Sequence, residues 1–457
     1  MLETSLLGQL AALVLLAALL FFIASALPQR VATTLMMLMV PFQAVESFAG
    51  TSTMLLAYVV FVALLLRGER VQVPMLWSFV GLLVWYLISM SLQHPATYSQ
   101  HAVYIYTLIS AFLVFWLCHD LTNRFEKSTS VINVFIWMNV LIVIYCFIQL
   151  WIGPGERFKL FGLSEISMTR VRADGRLTGP FESAEITAQY LVIMVFVIVH
   201  QFWYTEGASA RRLLVLLVAV DLGLLVATGS RGEFLVLIGG SGLYLWLFRR
   251  RLGPVRAMGL ALSAGAVLAV SSLVIITFTP FGNLFDRLGR TEIEAGIPDT
   301  REVVWPTAWN EIEKRPMIGH GPRLRFFMED RGKVYVQHNY IPYPHSLYLF
   351  LLFTVGVPGL ILFLWIHMRV FARCWRAMSR PEGDAYSMDL ARTGVLVITL
   401  FLIDGIKIEQ MRLALADYWH FWFGLLGVLW AFSGRVAVGP ESTPQSPTQT
   451  AGTLAGR

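Results

Sequence analysis

Charge is scarce in this chain of 457 residues. Only 14% of positions are Asp, Glu, Lys or Arg, about half the share usual in soluble proteins. Cysteine is nearly absent: Cys118, Cys146 and Cys374 lie far apart, each in or at the end of an apolar stretch. That spacing excludes a disulfide framework and a cysteine-based metal site. There is no Walker loop, no His-Glu-x-x-His, no Gly-x-Ser-x-Gly and no Asp-x-Asp pair. ATP hydrolysis by the chain itself, zincin chemistry, a serine-hydrolase elbow and a metal site for nucleotide-sugars are therefore without support. What is abundant is apolar: 56% of residues are hydrophobic, 13% aromatic, and the mean hydropathy is +0.65. Neither a soluble enzyme nor a disordered chain has this bias. The chain reads as an all-α polytopic membrane protein.

A transmembrane helix needs roughly 20 mostly apolar residues. Candidate spans are 6–27, 31–48, 52–66, 75–92, 98–118, 130–152, 184–203, 213–228, 232–248, 256–279, 346–368, 390–408 and 418–433. Pro41, Gln43 and Glu46 interrupt the second, so a re-entrant segment and a total of 12 rather than 13 spans is the alternative. Basic residues in short loops set orientation. They cluster at Arg67 with Arg70, Arg124 with Lys127, Arg211-Arg212, Arg249 to Arg256, and Arg369 to Arg392. All five loops fall on one side, expected to be the cytoplasm. The net charge of +6 is then a property of those loops and not a sign of nucleic-acid binding.

The opposite, periplasmic side receives two long segments, 153–183 and 280–345. The expected organisation is N-terminal spans over 1–152, a second membrane region over 153–433 with a long periplasmic loop bearing short amphipathic helices, and a disordered cytoplasmic tail over 434–457, rich in Ser, Thr, Pro and Gln. Within the long loop, Thr300 can cap a helix that runs to about Arg315, where Pro316 stops it. Trp305, Ala308, Trp309 and Ile312 share one of its faces. That face suits the membrane interface or a small core within the loop.

The spans are poor in ionisable groups. Glu46, Glu185, Asp221 and Asp404 are the internal candidates, mostly near span ends. A transporter or flippase usually keeps such groups deep in the bundle, where they are costly and functional. The polar residues that stand out gather instead at the periplasmic ends of spans. Arg170, Arg172 and Arg176 precede the seventh span, in a stretch ending Arg176-Leu-Thr-Gly-Pro-Phe181. Thr228-Gly229-Ser230-Arg231-Gly232 breaks the chain between the eighth and ninth. Free N–H groups and the positive end of the ninth span favour an anion there, and a guanidinium grips phosphate oxygens in pairs. Snorkelling of Arg231 to headgroups, or pairing with Glu233, is the alternative. His345 lies in Tyr343-Pro344-His345-Ser346-Leu347-Tyr348-Leu349, at the start of the eleventh span. Burial and the helix end would lower its pKa and leave the neutral imidazole a general base needs. An interfacial anchoring histidine is the plainer alternative.

This ordered set resembles the O-antigen ligase and O-antigen polymerase superfamily. The resemblance runs over roughly 170–365. It adds Arg301 and the turn Pro316-Met-Ile-Gly319-His-Gly321, and it ends on Gly356-Val357-Pro358-Gly359. It implies an inverting, metal-independent and cofactor-free glycosyltransferase at the outer face of a bacterial inner membrane. Its donor would be an oligosaccharide on undecaprenyl diphosphate, and its acceptor a glycan, lipid A-core or a protein. By resemblance, Arg231 and Arg176 fall on diphosphate-binding positions, with Arg301 and Arg172 as further candidates, and His345 on the catalytic histidine. The commoner pattern is His-Asn-x-Tyr-Leu, where this chain has Ser346. A rival His338-Asn339-Tyr340 lies upstream, but Pro342 and Pro344 keep His338 from opening the same helix. Aromatics of the loop, including Trp305, Phe326, Phe327, Tyr335 and Tyr340, are expected either to stack on sugars or to form loop core. Besides a polymerase or ligase, a flippase and a non-catalytic subunit of a polysaccharide export complex remain as alternatives.

Overall fold

The computed structural model describes residues 21–22, 25–42, 51–93, 98–124, 129–153, 175–278, 293–294, 297–298, 301–322, 329–330, 333–334, 344–380, 384–412 and 416–435. Among these residues the architecture is a helical bundle: α1 (Gln29–Leu38), α2 (Ser52–Leu66), α3 (Leu76–Ser91), α4 (Tyr98–Arg124), α5 (Thr129–Ile152), α6 (Ala184–Tyr204), α7 (Ala208–Thr228), α8 (Arg231–Phe278), α9 (Arg301–Lys314), α10 (Leu347–Ala377), α11 (Ala385–Asp404) and α12 (Ala416–Arg435). By length and composition, helices covering α4, α5, α6, α10 and α11 are fit to cross a bilayer, while α2 and α3 are shorter apolar helices. The chain is thus an all-α, multi-pass membrane protein. Two pairs of two-residue strands, Ile293–Glu294 with Ile297–Pro298 and Glu329–Asp330 with Lys333–Val334, lie in the long loop.

Helix starts follow capping chemistry. Thr51, Ser183, Ser346 and Asp384 accept backbone N–H groups of Met54, Ile186, Leu349 and Ser387 at the starts of α2, α6, α10 and α11. The second predicted span is much shorter than expected. Helix α1 stops at Leu38 and turns at Met39–Pro41, because Pro41 cannot continue the helical hydrogen bonds. The first span lies almost wholly outside the described residues, as do Glu46 and the tail from residue 436. The ninth and tenth spans form α8, interrupted only at Gly253 (φ 66°, ψ 164°).

Helix α12 is the central post, buried along nearly its whole length and packed chiefly on α4. A Cβ on Gly427 would strike the Phe115 carbonyl, so the two backbones lie in contact there. Two buried polar pairs lie inside the bundle. Asn139 Nδ2 donates to both carboxylate oxygens of Asp221 (3.1 and 2.9 Å), and Trp422 Nε1 donates to His367 Nε2 (3.0 Å).

The bundle has two chemically different ends. At one, Arg124 pairs with Glu69 (3.0 Å), Arg251 and Arg392 pair with Asp389, Arg435 reaches the Thr122 carbonyl, and Arg369 donates to Ser78 (3.0 Å). The other end receives the starts of α6, α8, α10 and α12, the ends of α5, α7 and α11, and the loop helix α9.

Helix α10 is broken at Gly356 (φ 66°, ψ −171°), a conformation open to glycine alone. The turn after α9 repairs the break. His320 N donates to Phe353 O (2.7 Å), Gly321 N to Thr354 O (2.9 Å), and Val357 N to Pro316 O (2.9 Å). From α3, Trp85 Nε1 reaches Val355 O (2.8 Å), and Ser89 Oγ reaches Ile318 O (2.7 Å). The bonds to Phe353, Thr354 and Val355 and from Val357 engage backbone groups left free at the break, as a membrane interior demands, while the Ser89 bond holds the turn itself. The Pro-x-x-Gly-x-Gly and Gly-x-Pro-Gly stretches are therefore two halves of one joint, which docks α9 on α10. Accordingly Val304, Ala308 and Ile312 of α9 are buried in protein, whereas Trp309 is 48% exposed. Neither of the two expected surfaces, the membrane interface or a core within the loop, takes its buried side: Val304, Ala308 and Ile312 pack with α10 in the contact region.

Candidate functional site

Four of the residues singled out in the sequence sit at the same end of the bundle. Arg176 is buried, 4% exposed, on the irregular stretch before α6. Its Nη2 lies 2.7 Å from Glu185 Oε1, and its Nε donates to the Thr228 carbonyl (2.9 Å). Leu177 N also donates to Ala227 O (3.1 Å). These bonds bind Arg176-Leu-Thr-Gly-Pro to the last turn of α7, three residues before Arg231. Gly229 ends α7 in the left-handed region, and Arg231 opens α8, half-buried in its first turn. Glu233, one candidate partner of Arg231, is engaged by Lys407 instead: Nζ lies 2.6 Å from its Oε1.

His345 stands just before α10. Ser346 is the helix cap, its Oγ accepting from Leu349 N (3.5 Å), a role that asparagine is equally suited to fill. The histidine is therefore outside the first turn, with φ at 46°, a value uncommon for a non-glycine residue. Its Nδ1 lies 3.4 Å from Glu409 Oε2. The imidazole is 40% exposed and the carboxylate 4%. The expected pKa shift is reversed. Glu409 raises the histidine above its ordinary value, helped by Glu185; burial and Arg301 oppose but do not win. The local sequence offers His345 no acid beside it; its acidic partner, Glu409, is 64 positions away in the chain.

The loop helix completes the arrangement. Trp305 Nε1 donates to Pro344 O (2.8 Å), so one tryptophan of α9 braces the residue before His345. Arg301, the first residue of α9, donates from Nη2 to the Lys407 carbonyl (3.1 Å). Arg301 is also close enough to His345 to act on its charge.

The sequence reading missed the segment that links these pieces, 404–412. Asp404 accepts from Gln189 of α6 (3.2 Å), and Gly405 O accepts from Leu347 N of α10 (2.7 Å). Lys407 meets α8 and α9, Glu409 meets His345, and Arg412 reaches Glu409 (3.4 Å). Asp404 is among the span-end ionisable residues of the sequence; Glu409 does not stand out there. The available signal was Asp-Gly-Ile-Lys-Ile-Glu-Gln-Met-Arg, a run of charges at the edge of an otherwise apolar span. Arg172, the rival His338, and Phe326, Phe327, Tyr335 and Tyr340 lie outside the described residues.

Residues 213–364 match a family model described as O-Antigen ligase. A 214-residue stretch is 24% identical to an O-antigen ligase of Pseudomonas aeruginosa, covering 46% of this chain and 46% of that protein. The match thus spans about half the length of that relative. The resemblance to the O-antigen ligase and polymerase superfamily is borne out by both. The family match encloses Arg231, Arg301 and His345, and leaves out Arg176 and the 404–412 segment.

Proposed function

We propose that the chain is a membrane glycosyltransferase that moves an oligosaccharide from undecaprenyl diphosphate to a hydroxyl acceptor at the periplasmic face of the bacterial inner membrane. The observation that carries this reading is the placement of Arg176, Arg231, Arg301 and His345 at one end of the bundle, remote from the arginine-rich loops. Support also comes from the family match across 213–364.

The chemistry follows from the groups. The acceptor oxygen forms a bond to the anomeric carbon as the bond from that carbon to the diphosphate oxygen breaks. The configuration inverts. The acceptor proton passes to His345, and the electron pair leaves with undecaprenyl diphosphate. With Nδ1 directed at Glu409, Nε2 is the nitrogen left to receive the proton, and the carboxylate stabilises the imidazolium formed. Guanidinium groups of Arg231 and Arg301 offset charge growing on the leaving diphosphate. Arg172 is assigned to the same anion. Arg176 has its Nε and Nη2 side taken by Thr228 and Glu185. It contributes through its remaining Nη1 end and its charge, and it orders Glu185 near the histidine. No ATP or metal enters this scheme.

Polymerase and ligase use the same donor chemistry. The relative's name favours ligase, with lipid A-core or protein as acceptor; a growing glycan would make the enzyme a polymerase. Purified protein with lipid-diphosphate-linked repeat units, EDTA and no ATP is the test. Transfer to added lipid A-core or protein marks a ligase, and chain growth without added acceptor marks a polymerase. Full glycan production in cells carrying either His345→Ala or Arg231→Ala would leave a flippase or a non-catalytic export subunit as the better reading.

A further inference from the structure

Lys407 occupies a position that its side chain alone does not explain. Its Nζ lies 2.6 Å from Glu233 Oε1 and 2.8 Å from Asp404 Oδ1, and both carboxylates are fully buried. Its stem crosses the first turn of α8 directly over Gly232. A Cβ built on that glycine would sit 2.7 Å from Nζ and 2.8 Å from Cδ. The second glycine of Thr-Gly-Ser-Arg-Gly is thus the space through which the lysine passes. The residue's other end is also in use, since its carbonyl accepts from Arg301 Nη2 (3.1 Å). Two residues earlier, the Gly405 carbonyl holds Leu347 N, the second residue after His345 (2.7 Å).

A compact ammonium on a flexible stem suits this place. It answers two carboxylates from different helices at one point, where a planar guanidinium would need more room than Gly232 leaves. Because Nζ is occupied by Glu233 and Asp404, the lysine has no need of substrate to satisfy it. We propose that Lys407 is a positioning residue of the donor site: its ammonium fixes the Arg231 end of α8 to the end of α11, while its carbonyl holds the Arg301 guanidinium, so that the two arginines meet the donor diphosphate at a set separation. This rests on the glycosyltransferase reading above. It assigns the role of the strap 404–409 in that reading: the strap sets donor geometry.

Lys407→Met alone strands two buried carboxylates, a fault that can unfold the protein by itself. The test is therefore the double variant Lys407→Met with Glu233→Gln, which leaves one carboxylate, Asp404, held by Gln189 without the lysine, and beside it Glu233→Gln, which keeps the lysine but weakens one arm. Both are reconstituted, checked for folding by size exclusion and thermal melting, and assayed with donor and acceptor varied separately. The expected result is a folded double variant whose KM for the lipid-diphosphate donor rises about tenfold or more, because misplacement by an ångström is costly at a reacting centre. The acceptor KM stays at the wild-type value, and the single variant shifts the donor KM in the same direction by less. A structural role alone would lower yield or kcat while leaving both KM values in place. A folded variant with the wild-type donor KM overturns the proposal and leaves the glycosyltransferase reading standing. If the double variant fails to fold, an unchanged donor KM in Glu233→Gln overturns it equally. Wild-type protein that transfers nothing from the lipid diphosphate would overturn that reading and this proposal together.

Discussion

A histidine held beside a buried carboxylate is a stronger base than one in water, and it is neutral over a narrower range of pH. Glu409 is the largest cause of the raised pKa of His345. Folding raises this pKa, so the pairing stabilises the fold fully below the ordinary histidine value of about 6.5, and that contribution is lost as pH rises through the raised value. The proposed reaction would feel the same shift. If His345 is the base of that reaction, it must be unprotonated in the free enzyme, so the acid limb of the kcat/KM profile should lie above that of an isolated histidine. Glu409→Gln should move the limb to lower pH and also lower the plateau, since the imidazolium loses its counter-charge. A limb that stays in place would detach Glu409 from the base. His345→Ala should cost roughly 10²–10⁴ in kcat/KM at the pH optimum, the usual worth of a positioned general base. Ser346 makes a separate prediction, about stability. Ser346→Ala removes the cap of α10 and should cost about 1 kcal/mol, whereas Ser346→Asn keeps a capping oxygen and should melt close to wild type.

At the scale of elements, the broken helix α10 is the feature to test. Gly356→Ala would place a methyl against the Met317 carbonyl and force a side chain into backbone space reserved for glycine. The backbone cost alone is about 1–3 kcal/mol. Gly239 lies inside α8 with open space around it. Gly239→Ala should gain rather than lose stability, by up to about 1 kcal/mol. Melting temperatures of the two variants in the same detergent check the contrast, and equal shifts would refute the joint. Most elements were legible in the sequence. Predicted spans 52–66, 130–152 and 184–203 agree with α2, α5 and α6 within a residue or so, because a long apolar run in a bilayer must satisfy its backbone within a helix. Pro41 marked where α1 would fail. The joint between Gly356 and Pro316–Gly321 was not legible, although both motifs were in view, because sequence pattern carries no information about which distant backbone groups exchange hydrogen bonds. Glu409 was hidden for the same reason. Its function depends on a fold that brings residue 409 against residue 345, and no local spacing records that.

The whole molecule is polarised, and its polarity decides which compartment supplies the substrate. Exposed Arg376 and Arg380 continue the cationic stripe that begins at Arg369 and Arg373, where two guanidinium groups lie over the Trp430 ring (5.7 and 4.3 Å). On the proposed topology, which follows the positive-inside rule, this end would face the cytoplasm and the His345 end would face outward. The arrangement suits a lipid diphosphate whose sugar stands beyond the outer leaflet while its tail remains in the bilayer. Two cysteine substitutions test it without relying on activity. Cys118, Cys146 and Cys374 are all buried, so their reaction with a membrane-impermeant maleimide should be slight. Trp309→Cys places a thiol on the exposed side of α9, and Arg376→Cys places one on the stripe at the other end. In intact spheroplasts the first should be labelled and the second should not; after lysis both should react. Labelling of Arg376→Cys alone in intact spheroplasts would invert the topology. It would put His345 and the arginines on the side where nucleotide-sugars are available, and so remove the reason for an ATP-independent, lipid-linked donor.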